Sequence, residues 1–577
     1  MSAKTKKMSH RALVIWFIKH RFCKEFLQIT LLALLAALLS APIPFIYRTV
    51  VDGLGSLPGA ELLAFVILYV VLIILEVLVN FWREKVLTTF DWWAYSAMGT
   101  EVYRAIVKLP YHISGKRSSS DLIKLMSTDS YHLQGAIVYG TTRMISLLIR
   151  FIVDLVVMYT LFGWGILGVI VVLPVYYLLI RKSVQNVDKY DREHDEKVET
   201  WYDDSYSPLH RLKEVKSRRM ESFLMKNISK SSQEVSITGV KTGRAKNVLY
   251  SLYDFFDRGV YVILFSVGVY GVIRGQLSLG TLFAVFYVSS SIITNLNSIC
   301  IAISDDYHRR IPAMDRIAEL LAIEVDSPRQ QPADLPSLNV EFRDVKFAYP
   351  ESKFELSIPS LTLSGNKKYV LVGRTGSGKS TLFDLLNGIM HPNEGSILIN
   401  GTKTTEIAED WWKKNCFVLL QDSYIFRGTI EDNILLGDTE LQQDLDKLIE
   451  EQGFAAFFER FADGIKTNPQ EGKELSGGEK RMVCLLRLLL KQQYQMILVD
   501  EGKTGLDAEL RVKIDDLMQE VVANRLSLTI THDLGEITRY DEVLFVSEGT
   551  VIQDQHENLM ANNEDYRDLI KVAADAE

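Results

Sequence analysis

The sequence predicts a membrane all-α six-helix domain with cytoplasmic helical extensions, followed by an α/β P-loop domain. Three observations carry that reading. Six long apolar stretches fall before residue 310, at about 26–47, 62–82, 135–161, 163–181, 252–273 and 280–303, each near the length that crosses a bilayer as a helix. After about residue 335 the apolar runs shorten to strand length and charged residues recur throughout. Within that second part, Gly373-Arg374-Thr375-Gly376-Ser377-Gly378-Lys379-Ser380 follows the apolar run Lys368–Gly373 and leads into Thr381-Leu-Phe-Asp-Leu-Leu, the order strand, glycine-rich loop, helix.

Each element follows from the same logic. A chain of 577 residues exceeds one ordinary domain, and 48% hydrophobic with 24% charged residues is a blend that describes neither half alone. The expected division is a transmembrane domain over 1–325, a linker over 326–337 and a nucleotide-binding domain over 338–577. A single apolar stretch could be a buried core helix; six in succession leave that reading little room. The flank Lys4, Lys6, Lys7, Arg11, Lys19, Arg21 and Lys24, with no small-residue cleavage site after the first stretch, marks a cytoplasmic N-terminus rather than a cleaved signal. The segments near 48–61, 162–164 and 274–279 are short and poor in Lys/Arg, whereas 83–134 and 181–251 are long and rich in them. Positive-inside topology therefore places the long pair and both termini in the cytoplasm. A net charge of -8 and a pI near 5.8, without a large Lys/Arg field, argue against a nucleic-acid partner.

The glycine-rich loop predicts binding of a nucleoside triphosphate. Its glycines let consecutive backbone N–H groups converge on phosphate oxygens, Lys379 reaches the β- and γ-phosphates, Ser380 holds Mg²⁺, and the following helix turns its positive end to the phosphates. Met496-Ile-Leu-Val-Asp500-Glu501 is an apolar strand ending in two carboxylates. That suits Asp500 to the coordination sphere of Mg²⁺ and Glu501 to orienting or deprotonating an attacking water. With Leu475-Ser476-Gly477-Gly478-Glu479 shortly before it and His532 in Thr-Ile-Thr-His-Asp after the next strand, the set resembles the nucleotide-binding domain (cassette) of ATP-binding cassette (ABC) transporters.

The resemblance implies ATP and Mg²⁺ as ligands and gives roles to further residues. Tyr349 in Phe-Ala-Tyr-Pro is similar to the aromatic that stacks on adenine, and Gln421 in Leu-Leu-Gln-Asp to the glutamine that touches Mg²⁺ and the membrane domain. Ser476, Gly477, Gly478 and Glu479 are similar to the signature that completes the ATP site of the opposite subunit, Asp507 to the D-loop aspartate and His532 to the γ-phosphate histidine. The signature ends in Glu479 where Gln is commoner, and Gly502-Lys503-Thr504-Gly505-Leu506-Asp507 stands where the family usually has Pro or Ala and then Thr-Ser-Ala. Neither departure removes a phosphate ligand, a metal ligand or the water-activating carboxylate, so the site is expected to hydrolyse ATP.

The long intracellular segments carry few Gly or Pro and are expected to extend the membrane helices, as in the exporter-type ABC membrane domain. By position, the elements that dock on the cassette would be Ser114–Asp121 with the helix after it, and the region Tyr206–Arg211. Polar residues inside spans mark a cavity or a helix contact. Glu76 lies in the second span, and Arg143, Arg150 and Asp154 lie in the third, the last two spaced i,i+4 on one face. Tyr287, Ser291, Thr294, Asn295 and Ser298 recur at helical spacing in the sixth. They either line a translocation path or pack helices by hydrogen bonds. Cys23, Cys300, Cys416 and Cys484 lack metal-ligand spacing and read as small buried side chains.

With no domain ahead of the first span and no internal repeat, the chain reads as one half-transporter, which by family resemblance works as a dimer: a homodimer, or a pair with a homologous half. The expected function is an ATP-driven exporter of a hydrophobic or amphipathic peptide, lipid or drug-like cargo by alternating access. It would be a multi-pass protein of the bacterial inner membrane. Import of a metal chelate on the same architecture is the alternative within transport, and an ATP-gated channel or regulatory protein the alternative outside it.

Overall fold

The computed structural model describes residues 8–574 except 55, 116, 164–166, 305–306, 308–309, 324–329, 334–336, 350–353, 422–423, 470–474, 492–493, 501–515 and 532. Side chains at 112, 164–177, 179, 207, 210 and 257 also lie outside the description. The chain forms two compact units, Met1–Lys108 with Arg117–Glu324, and Val325–Glu577 with Leu109–Lys116. The excursion of the short segment Leu109–Lys116 into the second unit is a departure from the linear division expected from sequence.

The first unit is helical. Helix α1 (His10–Arg21) starts at Ser9, whose hydroxyl accepts from the Ala12 N–H at 3.2 Å, and buries Leu13, Val14 and Phe17. The first apolar stretch is not one helix but two, α2 (Cys23–Ser40) and α3 (Ile43–Gly53). Pro42 and Pro44 have no N–H to donate, so the hydrogen-bond ladder stops and α3 restarts with proline in its first turn. Helix α4 (Gly59–Lys108) has 50 residues. At 1.5 Å per residue that is about 75 Å, more than twice the ~30 Å hydrocarbon core, so much of it must lie outside the membrane. None of its most apolar window is buried, which exposes Leu63, Ile67, Ile74 and Leu78 and calls for lipid or another apolar surface.

The third path through the unit is composite. After α5 (Tyr111–Ser114) come α6 (Ser119–Lys124), α7 (Ser130–Gly135) and α8 (Met144–Phe162), with π-helical turns at Leu125–Asp129 and Ala136–Arg143 between them. The Thr141 and Thr142 hydroxyls donate to carbonyls five residues back, at Ala136 and Ile137, each at 3.0 Å. Helices α9 (Leu167–His210), α10 (Leu212–Ser217), α11 (Glu221–Ile273), α12 (Leu279–Ser304) and α13 (Ile311–Leu321) complete the unit. The polar parts of α9 and α11 are joined by Lys197–Glu234 at 2.7 Å, Lys241–Glu193 at 2.8 Å and Lys246–Asp191 at 3.3 Å. Among the described residues five helical segments are long and apolar enough to cross a membrane. The stretch 163–181 falls mostly on side chains outside the description.

The second unit is built on a ten-stranded sheet: β1 (Asn339–Ala348), β2 (Glu355–Ser364), β3 (Lys368–Gly373), β4 (Glu394–Ile399), β5 (Thr402–Lys403), β6 (Cys416–Leu419), β7 (Met496–Asp500), β8 (Leu526–Ile530), β9 (Glu542–Ser547) and β10 (Thr550–Asp554), ordered 5-4-1-2-10-9-3-8-7-6. Strands β6, β7, β8, β3 and β9 run parallel, and β5, β4, β1 and β2 form an antiparallel wing. A parallel sheet needs cover on both faces, and β7 shows how it is supplied. Its Met496 and Leu498 pack with Leu382, Phe383, Leu385 and Leu386 of α14 (Lys379–Leu386). Its Ile497 and Val499 pack with Met482, Leu485 and Leu486 of the helix Gly477–Leu490. Since successive side chains on a strand point to opposite faces, these two helices cover opposite faces of the sheet.

Candidate functional site

Strand β3 is central, between β9 and β8, and Tyr369 to Val372 are fully buried. The chain then leaves the sheet through a loop with glycine at the positions a side chain would strain. Gly373 has φ +157°, and a Cβ there would lie 2.3 Å from the Val546 carbonyl oxygen of β9. Gly378 has φ +111° and serves as the N-cap of α14 without any side-chain cap. The first-turn N–H groups of α14 therefore stay available to an anion, with the helix dipole behind them. The Lys379 ammonium folds over the rim, donating to the carbonyls of Gly373 at 2.8 Å and Arg374 at 3.1 Å. Ser377 Oγ is buried with no hydrogen-bond partner among the described residues, a placement that suits a phosphate oxygen as its partner. Ser380 and Thr381 open the helix, and the Thr381 hydroxyl is 3.1 Å from the Tyr349 hydroxyl. Tyr349 itself is 37% exposed, edge-on to Phe347, leaving ring surface for a stacking partner.

Asp500 ends β7, two strands from the loop. Its charge reaches α14: burial first, and the Asp500 carboxylate second, push the Asp384 carboxyl above the usual range. A hydroxyl at Ser380, a side-chain amide at Gln421 and a carboxylate at Asp500 make a hard, all-oxygen donor set, which fits Mg²⁺. Gln421 follows β6, and its carbonyl accepts from the buried Arg481 guanidinium of the helix Gly477–Leu490. Ser476 caps that helix in a reciprocal box: the Glu479 N–H donates to the Ser476 hydroxyl at 3.3 Å and the Ser476 N–H to the Glu479 carboxylate at 2.7 Å. Glu479, the signature departure, thus has a local role in holding the helix start. Gly477 and Gly478 begin the helix. Glu501, Asp507 and His532 lie outside the described residues.

Comparison with known proteins fits this arrangement. Residues 26–296 match the ABC transporter transmembrane region and residues 356–504 match the ABC transporter domain. The chain belongs to the ABC transporter family. It is a half-transporter of the exporter type, an ATPase coupled to transport, and that architecture requires a second half. A multidrug resistance ABC transporter ATP-binding and permease protein of Lactococcus lactis is 24% identical over 81% of this chain and 80% of its own. ABC transporter B family member 1 of Dictyostelium discoideum is 26% identical over 78% of this chain, which spans 50% of that relative's length. The fold is that of a bacterial Atm1-family ABC exporter structure with ATP bound, at a TM-score of 0.85 and 21% identity over 96% of this chain and 99% of that one.

In the membrane unit of this half-transporter, α2, α4, the π segment with α8, and α12 enclose a cavity of ≈ 650 Å³. Of the polar residues singled out in the spans, Arg143, Arg150, Tyr287, Ser291, Thr294 and Asn295 line it. Glu76, Asp154 and Ser298 are not among its lining residues. The i,i+4 partners Arg150 and Asp154 are 3.5 Å apart, but the closer partner of Arg150 is Glu76, at 2.7 Å. The second Asp154 oxygen accepts from Ser291 at 2.6 Å and Asn295 at 2.9 Å. The pair is therefore the centre of a network across α4, α8 and α12. Asn80, Arg83, Tyr139, Ser146 and Ser290 also line the cavity. Arg83 stands just beyond the second apolar stretch and was legible only as a topology signal.

Proposed function

We propose that the chain acts as a homodimeric primary exporter of a hydrophobic or amphipathic cargo, by alternating access driven by ATP. The observation that carries the dimer is the placement of the P-loop helix and the signature helix on opposite faces of one sheet. That separation of Ser476 from the P-loop of its own chain supports a second chain presenting the signature to the ATP site. Complete motifs in one sequence support two equivalent sites and a second copy as partner. ATP would sit with its phosphates on the Gly373–Thr381 loop and its adenine on Tyr349. Mg²⁺, held by Ser380, Gln421 and Asp500, would neutralise phosphate charge. Glu501 would orient the attacking water and His532 would hold the γ-phosphate. The uncovered apolar face of α4 supports insertion in a bilayer, and the Lys/Arg-rich long segments support a cytoplasmic ATPase unit in a bacterial inner membrane.

The test is Glu501→Gln in the purified, reconstituted chain. ATP binding should persist while turnover falls by orders of magnitude, because the phosphate cradle remains and the water loses its orienting carboxylate. Near-normal turnover would reject the role of Glu501. A chain expressed alone that runs as a monomer, and gains ATPase activity only with a different half-transporter, would reject the homodimer.

A further inference from the structure

The cavity between α2, α4, α8 and α12 has two unlike walls. Helix α2 contributes Ile29, Ala33, Ala36 and Ala37, a surface with no polar side-chain atom. The lining from α4, the π segment and α8 presents three guanidinium groups, Arg83, Arg143 and Arg150, and a single acid, Glu84. Their pairing differs. Arg83 is 2.9 Å from Glu84, and Arg150 is held between Glu76 and Asp154, which are not themselves lining residues and whose carboxylates are taken up by Arg150, Ser291 and Asn295. The Arg143 side chain has no acidic partner and no hydrogen bond among the described residues, yet Arg143 lines the same cavity and is exposed. It is the last residue of the π-helical segment Ala136–Arg143, whose wide turns end where α8 begins. Wide turns of this kind inside helices recur at functional sites. Seven residues separate Arg143 from Arg150, about 10 Å or two turns of helix, so both stand on one face.

An unpaired guanidinium at membrane depth is costly to keep. It offers five N–H donors in a fixed fork that matches an oxyanion in two-point contact. We propose that this cavity selects an anionic amphiphile, its carboxylate, phosphate or sulfate head on Arg143 and its apolar part against α2. The inference rests on the reading of this cavity as the cargo path. It narrows that reading from any amphipathic molecule to one charge class.

The experiment uses the full chain in phosphatidylcholine nanodiscs, with dodecyl phosphate, dodecyltrimethylammonium, dodecyl maltoside and inorganic phosphate as probes, read by tryptophan fluorescence and by ATPase rate in a coupled assay. Dodecyl phosphate should bind and alter the rate at lower concentration than the cationic or neutral probe, and inorganic phosphate should do neither. Arg143→Gln should raise the dodecyl phosphate concentration for half-effect by about 10- to 100-fold, the loss expected for a charge-assisted contact, and leave the neutral probe unmoved. Arg143→Lys should fall between. Arg274→Gln, which removes a cation beyond the end of α11, should follow the unmodified chain. A response to dodecyl phosphate already saturated in phosphatidylglycerol discs would identify the occupant as a bilayer lipid; an equal response in both discs would identify a soluble amphiphile. Equal or stronger response to the cationic probe, or an unshifted Arg143→Gln, overturns the charge selection while leaving a cargo cavity. Loss of the dimer in Arg143→Gln with the probe order unchanged assigns the guanidinium to a subunit contact and also overturns it. If no probe of any charge binds or alters the rate, the cargo reading of the cavity itself fails.

Discussion

The glycine-rich loop and the membrane cavity both bring polar groups together, but they are made in opposite ways. The loop is main chain: Gly373 and Gly378 take backbone angles that side chains disfavour, and the donors are N–H groups at the start of α14. The cavity is side chain: guanidinium, hydroxyl and amide groups from different helices converge, carried on residues within helices. One is specified by where a side chain is forbidden, the other by which side chains meet. The first should therefore fail when atoms are added, and the second when charges are removed singly.

The largest effect is expected at the loop. In Gly373→Ala the new Cβ would fall 2.3 Å from a main-chain oxygen of β9, an atom fixed in the centre of the sheet. The loop must move instead, and its N–H groups lose their common focus. ATP affinity should fall by on the order of 100-fold, a few kcal/mol being the scale of strain plus lost charge-assisted bonds. Titration calorimetry with ATP would check it. Affinity within about twofold of the unmodified chain would show that side chains such as Lys379, rather than the backbone, carry the grip, and the contrast between the two regions would collapse.

That difference also decides what could be read in advance. The loop is legible because its constraint is local: eight consecutive residues, with glycine where only glycine fits. The sheet follows from short apolar runs, and the long helices from apolar length. The cavity network is another matter. Helical spacing joins Arg150 to Asp154, but Glu76 lies 74 residues from Arg150, and Ser291 lies 137 from Asp154. Nothing in a single sequence ranks such contacts, so the closer partner of Arg150 was missed. The break at Pro42 was visible as a residue type, yet apolar length outweighed it: Cys23–Gly53 is long and apolar enough to cross a membrane, as expected for 26–47, but as two helices rather than one. The π segments escaped because a period of 3.6 is assumed for every helix, and one extra residue in a turn leaves apolar composition unchanged.

The network gives the middle effect and sharpens the comparison. Arg150 is only 24% exposed and sits between two carboxylates. Arg150→Met leaves both acids without their cation, so it should cost about 3–5 kcal/mol. Glu76→Gln leaves Arg150 with Asp154 and should cost less. The double variant Arg150→Met, Glu76→Gln should recover much of the loss, because the remaining acid, Asp154, keeps Ser291 and Asn295 as donors. Pairing Arg150→Met with Asp154→Asn should rescue less, since it leaves Glu76 uncompensated. Thermal midpoints of the detergent-solubilised variants give the ranking. If Asp154→Asn is the better rescuer, the helical pair rather than the interhelical contact dominates.

The smallest effect lies at the meeting of backbone and charge, on α14 itself. Asp384 is pushed above its ordinary value of 3.8, first by burial and then by the Asp500 carboxylate. A raised carboxyl binds its proton more tightly in the folded chain than in the unfolded one. Stability must then fall as pH rises from the ordinary carboxylate range through the raised value, and stay at the lower level beyond it. Asp384→Asn removes the group that titrates and also the like charge facing Asp500. At neutral pH the variant should melt at or slightly above the unmodified chain, and the difference should shrink as the pH is lowered through the raised value into the ordinary carboxylate range, vanishing only below that range, where Asp384 is protonated in both states. The sign is opposite to that of the membrane network, where removing one charge destabilises. Melting curves from pH 4 to 8 would check it. A variant less stable at neutral pH would mean that the Asp384 carboxylate is held by a favourable contact, and that this corner of the nucleotide unit follows the side-chain logic of the cavity.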